Sequence, residues 1–165
     1  MTDISKLREL LARVESATGG DCKLEDDIAI SLLGWRYHNF SDDHGEWRDE
    51  HDKYAMCPDA YTSSIDAAVA LCERVLPGWG WSVCRCCVSD DARVWPDYNC
   101  AEHGERLKRE FPLPAERYVD DRGAMTWGPY DEGFDIDRRP PGNVALALCE
   151  EILQAKLYIA EQAAA

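Results

Sequence analysis

The chain has 165 residues, with 18 Lys and Arg against 32 Asp and Glu, for a formal net charge of −14. That length suits one domain, 1–165, and a 45% hydrophobic share with six Trp excludes a disordered chain. No run approaches the roughly 18 apolar residues of a membrane-spanning helix, and the acid excess argues against direct nucleic-acid binding, which uses Lys and Arg to neutralise phosphates.

Residues 3–18 read as a helix, because Ile4, Leu7, Leu11 and Val14 recur on one side with Lys6, Arg8, Glu9, Arg13 and Glu15 opposite. Asp3 or Thr2 caps its start and Gly19-Gly20 stop it. Asp21 caps a second helix, which runs to Leu33 with a stripe of Leu24, Ile28 and Leu32 and terminates at Gly34. The pair forms a helical hairpin. Residues 35–60 follow neither the helical nor the strand period. They read as a long polar and aromatic insertion, in which Trp35, Tyr37, Phe40, Trp47 and Tyr54 pack down and a short strand lies near 35–37.

The clearest helix covers 63–76, with Ile65, Ala68, Val69, Cys72, Val75 and Leu76 on one face, a cap from Thr62-Ser63-Ser64, and Pro77-Gly78 as its end. Residues 79–88 then read as a strand, with Trp79, Trp81 and Val83 on one side and Ser82, Cys84 and Cys86 on the other. Residues 92–95 return antiparallel to it and stop at Pro96. Asn99 and Glu102 stand at capping-box spacing and open a short helix closed by Pro112. Residues 116–120 and 124–128 predict a second hairpin, 129–142 an acidic loop, and 143–159 a final helix with Leu148, Ile152, Ala155 and Ile159 as its seam. Residues 160–165 are a fraying tail. The fold class is α+β: an antiparallel sheet of about four strands with helices packed on it.

Three blocks carry a family resemblance: Tyr61-Thr62-Ser63-Ser64-Ile65-Asp66-Ala67-Ala68, Val75-Leu76-Pro77-Gly78-Trp79-Gly80-Trp81 and Pro140-Pro141-Gly142-Asn143-Val144-Ala145-Leu146-Ala147-Leu148-Cys149. They resemble the phage ABA sandwich domain family, as do Pro96-Asp97-Tyr98-Asn99 and the run 102–107. The resemblance implies an α/β/α sandwich, a phage or prophage origin and the cytosol of a bacterial host. It implies no catalytic residue. The first residues, Met1-Thr2-Asp3-Ile4-Ser5-Lys6, lack the form of a signal peptide, which agrees with a cytosolic setting where eight Cys stay reduced.

Chemistry-bearing residues fall in four groups. Cys84-x2-Cys87-x12-Cys100-x2-His103 has the spacing of a structural zinc site, although two ligands three apart on a straight strand lie on opposite faces. Cys86 is the substitute ligand that keeps the strand. The alternative is that these thiols are small buried side chains and the protein holds no cofactor. His44, His51 and Cys57 with Asp42, Asp43, Asp49, Glu50 and Asp52 match no metal motif and read as a solvated acidic loop. Trp79, Trp81, Trp95 and Trp127 with Arg106 could line a ligand pocket or fill a core. Arg106, Lys108 and Arg109 lie amid Glu102, Glu105 and Glu110 and suit an ion-paired helix face or a local anion site.

Phosphate-loop, dinucleotide-fold, nucleophile-elbow and zinc-protease motifs are all absent, so no reaction is expected. The leading expectation is an acidic, non-catalytic accessory protein that binds a protein partner with a basic surface, with inhibition of a host nucleic-acid-binding or defence protein as its specific form. Asp42, Asp43, Glu46, Asp49, Glu50 and Asp52, and Asp120, Asp121, Asp131 and Glu132, are the expected contacts. A protein that sequesters a nucleotide signal and a zinc-stabilised interaction domain are the alternatives.

Overall fold

Asp3 opens α1 (Ile4–Ser16) by accepting the N–H groups of Ser5 and Lys6, donors that every helix start leaves unpaired. Asp21 does the same for α2 (Cys22–Leu33) through Lys23 and Leu24. Gly34 ends α2 in the left-handed conformation, φ 71°, that glycine adopts without a Cβ penalty. Ser64 caps α3 (Ile65–Val75) through the N–H of Ala67. The structure, a computed structural model, describes residues 3–41, 44–85, 90–111 and 143–164.

Between α2 and α3 lie β1 (Arg36–Ser41), β2 (His44–Arg48) and β3 (Tyr54–Ala55). After α3 come β4 (Trp79–Arg85), β5 (Asp90–Pro96), α4 (Gly104–Glu110) and α5 (Val144–Ala164). The protein is α+β. Among the described residues the strands form two small antiparallel sheets, β1-β2-β3 and β4-β5. Residues 36–55 are thus a three-stranded meander, where the sequence suggested a single short strand near 35–37. The expected hairpin over 116–128 and the acidic loop 129–142 lie outside the described residues.

The core centres on α5. Its residues 145–153 are all buried, far more than the four-residue seam read from the sequence. A helix buried on every side must have neighbours on every side. Here α1 supplies Leu7, Leu10 and Val14, α3 supplies Ala68, Leu71 and Cys72, and β5 supplies Ala92 and Val94. Asn143 caps α5 by accepting the N–H of Leu146. The helix continues to Ala164, into the expected tail, and Arg8 on α1 pairs with Glu161 at 2.6 Å. Arg13 and Asp27 tie α1 to α2, also at 2.6 Å.

The hairpin register fixes which side chains share a face. Trp79 pairs with Pro96, Trp81 with Val94 and Val83 with Ala92, and this face turns to the core. Gly80, Ser82 and Cys84 pair with Trp95, Arg93 and Asp91 on the outer face. The short helix α4 begins five residues later than its expected cap. Asn99 does not cap it: the Asn99 N–H bonds the Asp97 carboxylate at 2.9 Å, and successive turns carry the chain to His103 at the N-cap position. The tight Asp97 turn satisfies the backbone locally and leaves the helix to start where those turns end.

Candidate functional site

Of the cysteine and histidine ligands expected for zinc, the described Cys84 is not brought to Cys100 and His103. Cys84 is exposed near the closed end of the β4–β5 hairpin, opposite Asp91. Cys100 follows Pro96, at the open end where Trp79 pairs. Five residues of strand separate the two ends, about 17 Å at the usual rise, so Cys84 cannot share one ion with Cys100 and His103. The His103 side chain packs over Gly78 instead. Cys86 and Cys87 lie outside the described residues. Among the described residues no group of three His, Cys, Asp or Glu side chains is arranged to hold a metal ion. His51 lies 3.8 Å from Glu50, and Cys57 is exposed.

The expected tryptophan pocket is divided by the sheet. Trp79 and Trp81 face the core, where Trp79 meets Phe111 edge-on at 5.5 Å. Trp95 points the other way and lies across Gly80, whose missing Cβ leaves room for its ring. Arg106 is engaged locally: it donates to the carbonyl of Pro77 and to Glu110, both at 2.8 Å. Lys108 pairs with Glu105 at 2.7 Å. Arg106 and Lys108 of α4 are therefore ion-paired within the helix. Trp127 lies outside the described residues.

The acidic contacts expected at 42–52 are also largely satisfied within the chain. Glu46 pairs with Arg48, and Asp52 with Arg36 at 3.2 Å. Asp49 accepts the N–H groups of Lys53 at 2.8 Å and His51 at 2.9 Å, which hold its carboxyl below the usual range. Glu50 bonds Arg74 on α3, whose guanidinium likewise lowers its pKa. Asp42, Asp43, Asp120, Asp121, Asp131 and Glu132 lie outside the described residues.

What the meander does expose is aromatic and apolar. Trp35 is buried and sits 6.4 Å from Trp47, which anchors the sheet to the body. Tyr37 stacks at 5.2 Å on Trp47 and leans over Gly45, yet remains 53% exposed. Phe40, Tyr54 and Met56 are 67, 64 and 84% exposed. Only Trp35 and Trp47 of the five aromatics pack down as the sequence suggested. A β-bulge between Asn39 and Ser41 is the physical reason for Phe40, because the extra residue leaves the alternation of the strand. Four of the five exposed large hydrophobic side chains among the described residues lie within 37–56, the fifth being Ile30.

A second cluster is buried and structural. One oxygen of Glu25 on α2 accepts from Thr62 Oγ1 at 2.8 Å, from the Thr62 N–H at 3.3 Å and from Ser63 Oγ at 3.3 Å. Thr62 Oγ1 in turn accepts the N–H of Asp21 at 3.0 Å. Nearby, Cys149 Sγ donates to the carbonyl of Tyr61 at 3.2 Å. The network ties the start of α2 to Thr62 and Ser63, just ahead of α3. Burial pushes the Cys72 thiol up to about 12, so that cysteine is a core side chain without nucleophilic character. No family model, curated protein or solved structure matches the chain.

Proposed function

We propose that the protein is a binding module that engages a protein partner through the meander spanning 36–56. The observation that carries this reading is the concentration of Tyr37, Phe40, Tyr54 and Met56 in and just after one small sheet, Tyr37 and Tyr54 on its opposite faces, all at least half exposed. Clustered apolar exposure is uncommon on a surface that meets only water, and aromatic and Met side chains are enriched where proteins meet. The net charge of −14 selects among partners. It favours a basic surface and speeds encounter with it. Host proteins that bind nucleic acid have such surfaces of necessity, and a module seated on one would inhibit it. The likeness of three sequence blocks to phage proteins makes a bacterial protein of that kind the first candidate.

The test compares the parent with the triple variant Tyr37→Ser, Tyr54→Ser, Met56→Ser. Both are immobilised and exposed to a bacterial lysate at low and high salt. The reading expects the parent to retain a basic protein that salt releases and the variant to lose at least tenfold of it. Equal retention by parent and variant refutes it.

A further inference from the structure

The meander offers more than exposed side chains. Strand β1 is at the edge of its sheet, hydrogen-bonded to β2 alone among the described residues. Residues 36–40 are all exposed, so the outward N–H and C=O groups of this edge are open to a second strand. Of the usual devices that block such pairing the strand carries no Pro and no Lys, only Arg36 at its start and a bulge at its far end, which leave 37–39 between them. Its regular stretch is 36–39, and the bulge after Asn39 sets the limit of pairing. Tyr37 within that stretch and Phe40 just beyond it give apolar side chains of an incoming strand something to pack on.

Charge decides the occupant. Pairing β1 with β1 of a second copy would bring together two chains of −14 each. A cationic segment is attracted by the same field. We infer that the β1 edge takes a short extended segment of the partner, about four residues paired by main-chain hydrogen bonds, with alternating basic and apolar side chains. The inference rests on the reading of this sheet as the partner contact, and adds how the contact is made and by what chemistry.

The probe is the capped heptapeptide Lys-Val-Lys-Val-Lys-Val-Lys, beside its fully N-methylated form, which keeps charge and side chains but has no N–H to donate. Hydrogen exchange of the amides of 36–41 is followed in the full chain. The inference expects the first peptide to slow exchange there at least tenfold and the N-methylated peptide to leave it unchanged. Unchanged exchange with millimolar peptide, equal effects of both peptides, or β1 already protected in a dimer of the free protein would each overturn it. An oligothymidine that protects β1 in place of the peptide would overturn it too. If the triple variant loses its partner while the peptide leaves β1 exchange unchanged, the edge inference fails alone. If the peptide protects β1 while the variant keeps its partner, the functional reading fails alone.

Discussion

Replacing Thr62 by Val tests whether the Glu25 network holds the helices together. The shape is kept and only the hydroxyl is lost. That hydroxyl donates to a carboxylate of which the residue is 7% exposed, and Thr62 itself is fully buried. A hydrogen bond to a charged group contributes about 2 kcal/mol, and stranding the Asp21 N–H that Thr62 Oγ1 accepts adds about 1 kcal/mol. Thr62→Val should therefore cost about 3 kcal/mol, which for a chain of this size lowers Tm by about 9 °C. Thr62→Ser keeps the hydroxyl and removes one methyl, at a cost of about 1 kcal/mol. Urea unfolding followed by tryptophan fluorescence measures both. A Thr62→Val variant that loses no more stability than Thr62→Ser would refute the reasoning, because the network would then contribute nothing beyond packing.

Gly78→Ala should cost at least 2 kcal/mol, since φ there is +84° and the His103 side chain occupies the place of a Cβ; unfolding within 1 kcal/mol of the parent would show that the turn relaxes. Asp26→Asn should stabilise by about 0.5 kcal/mol at neutral pH, a surface-scale effect. Burial, then Asp27, then Glu25 raise the folded pKa of Asp26, so its charge costs stability above that value and the cost vanishes below the ordinary carboxylate range. The gain should accordingly disappear in melts below about pH 4; a gain that persists in acid would assign it another cause. Chelation with EDTA should leave Tm within about 1 °C, because a structural zinc contributes many kcal/mol to folding and Cys84 lies far from Cys100 and His103. A larger fall would mean that other residues bind metal.

Local chemistry was the legible part of the fold. Asp3, Asp21, Ser64 and Gly34 act at helix ends through neighbours no more than a few residues away, so the sequence alone located Asp21 and Gly34 and narrowed the other two caps to Thr2 or Asp3 and to 62–64. The two faces of β4 followed from strict alternation through Trp79, Trp81 and Val83. The meander escaped because β1 holds only Tyr37 and Phe40 as large apolar residues and the bulge breaks their period. Its strands are specified by pairing and by the Trp35–Trp47 anchor, which no short window contains. The site was legible in composition and not in geometry. The acidic residues of 46–52 are plain in the sequence, but their pairing with Arg36, Arg48 and Arg74 depends on the fold. Trp95 joins the wrong face for a pocket because the register puts it opposite Gly80. Exposure of Tyr54 and Met56 left no local signal, since the same residue types fill cores.

The central place of α5 also sets an order of events in folding. It follows every other described element in the chain, yet α1, α3 and β5 bury their apolar faces against it. Until residues 144–164 are synthesised, Leu7, Leu71 and Val94 have no shared core to enter. Closure then joins segments more than a hundred residues apart, as Arg8 and Glu161 are, and contacts of such separation slow the search for the native state. Until α5 is made, the apolar faces of α1 and α3 lack the helix that buries them, and a partly made chain leaves that surface to water.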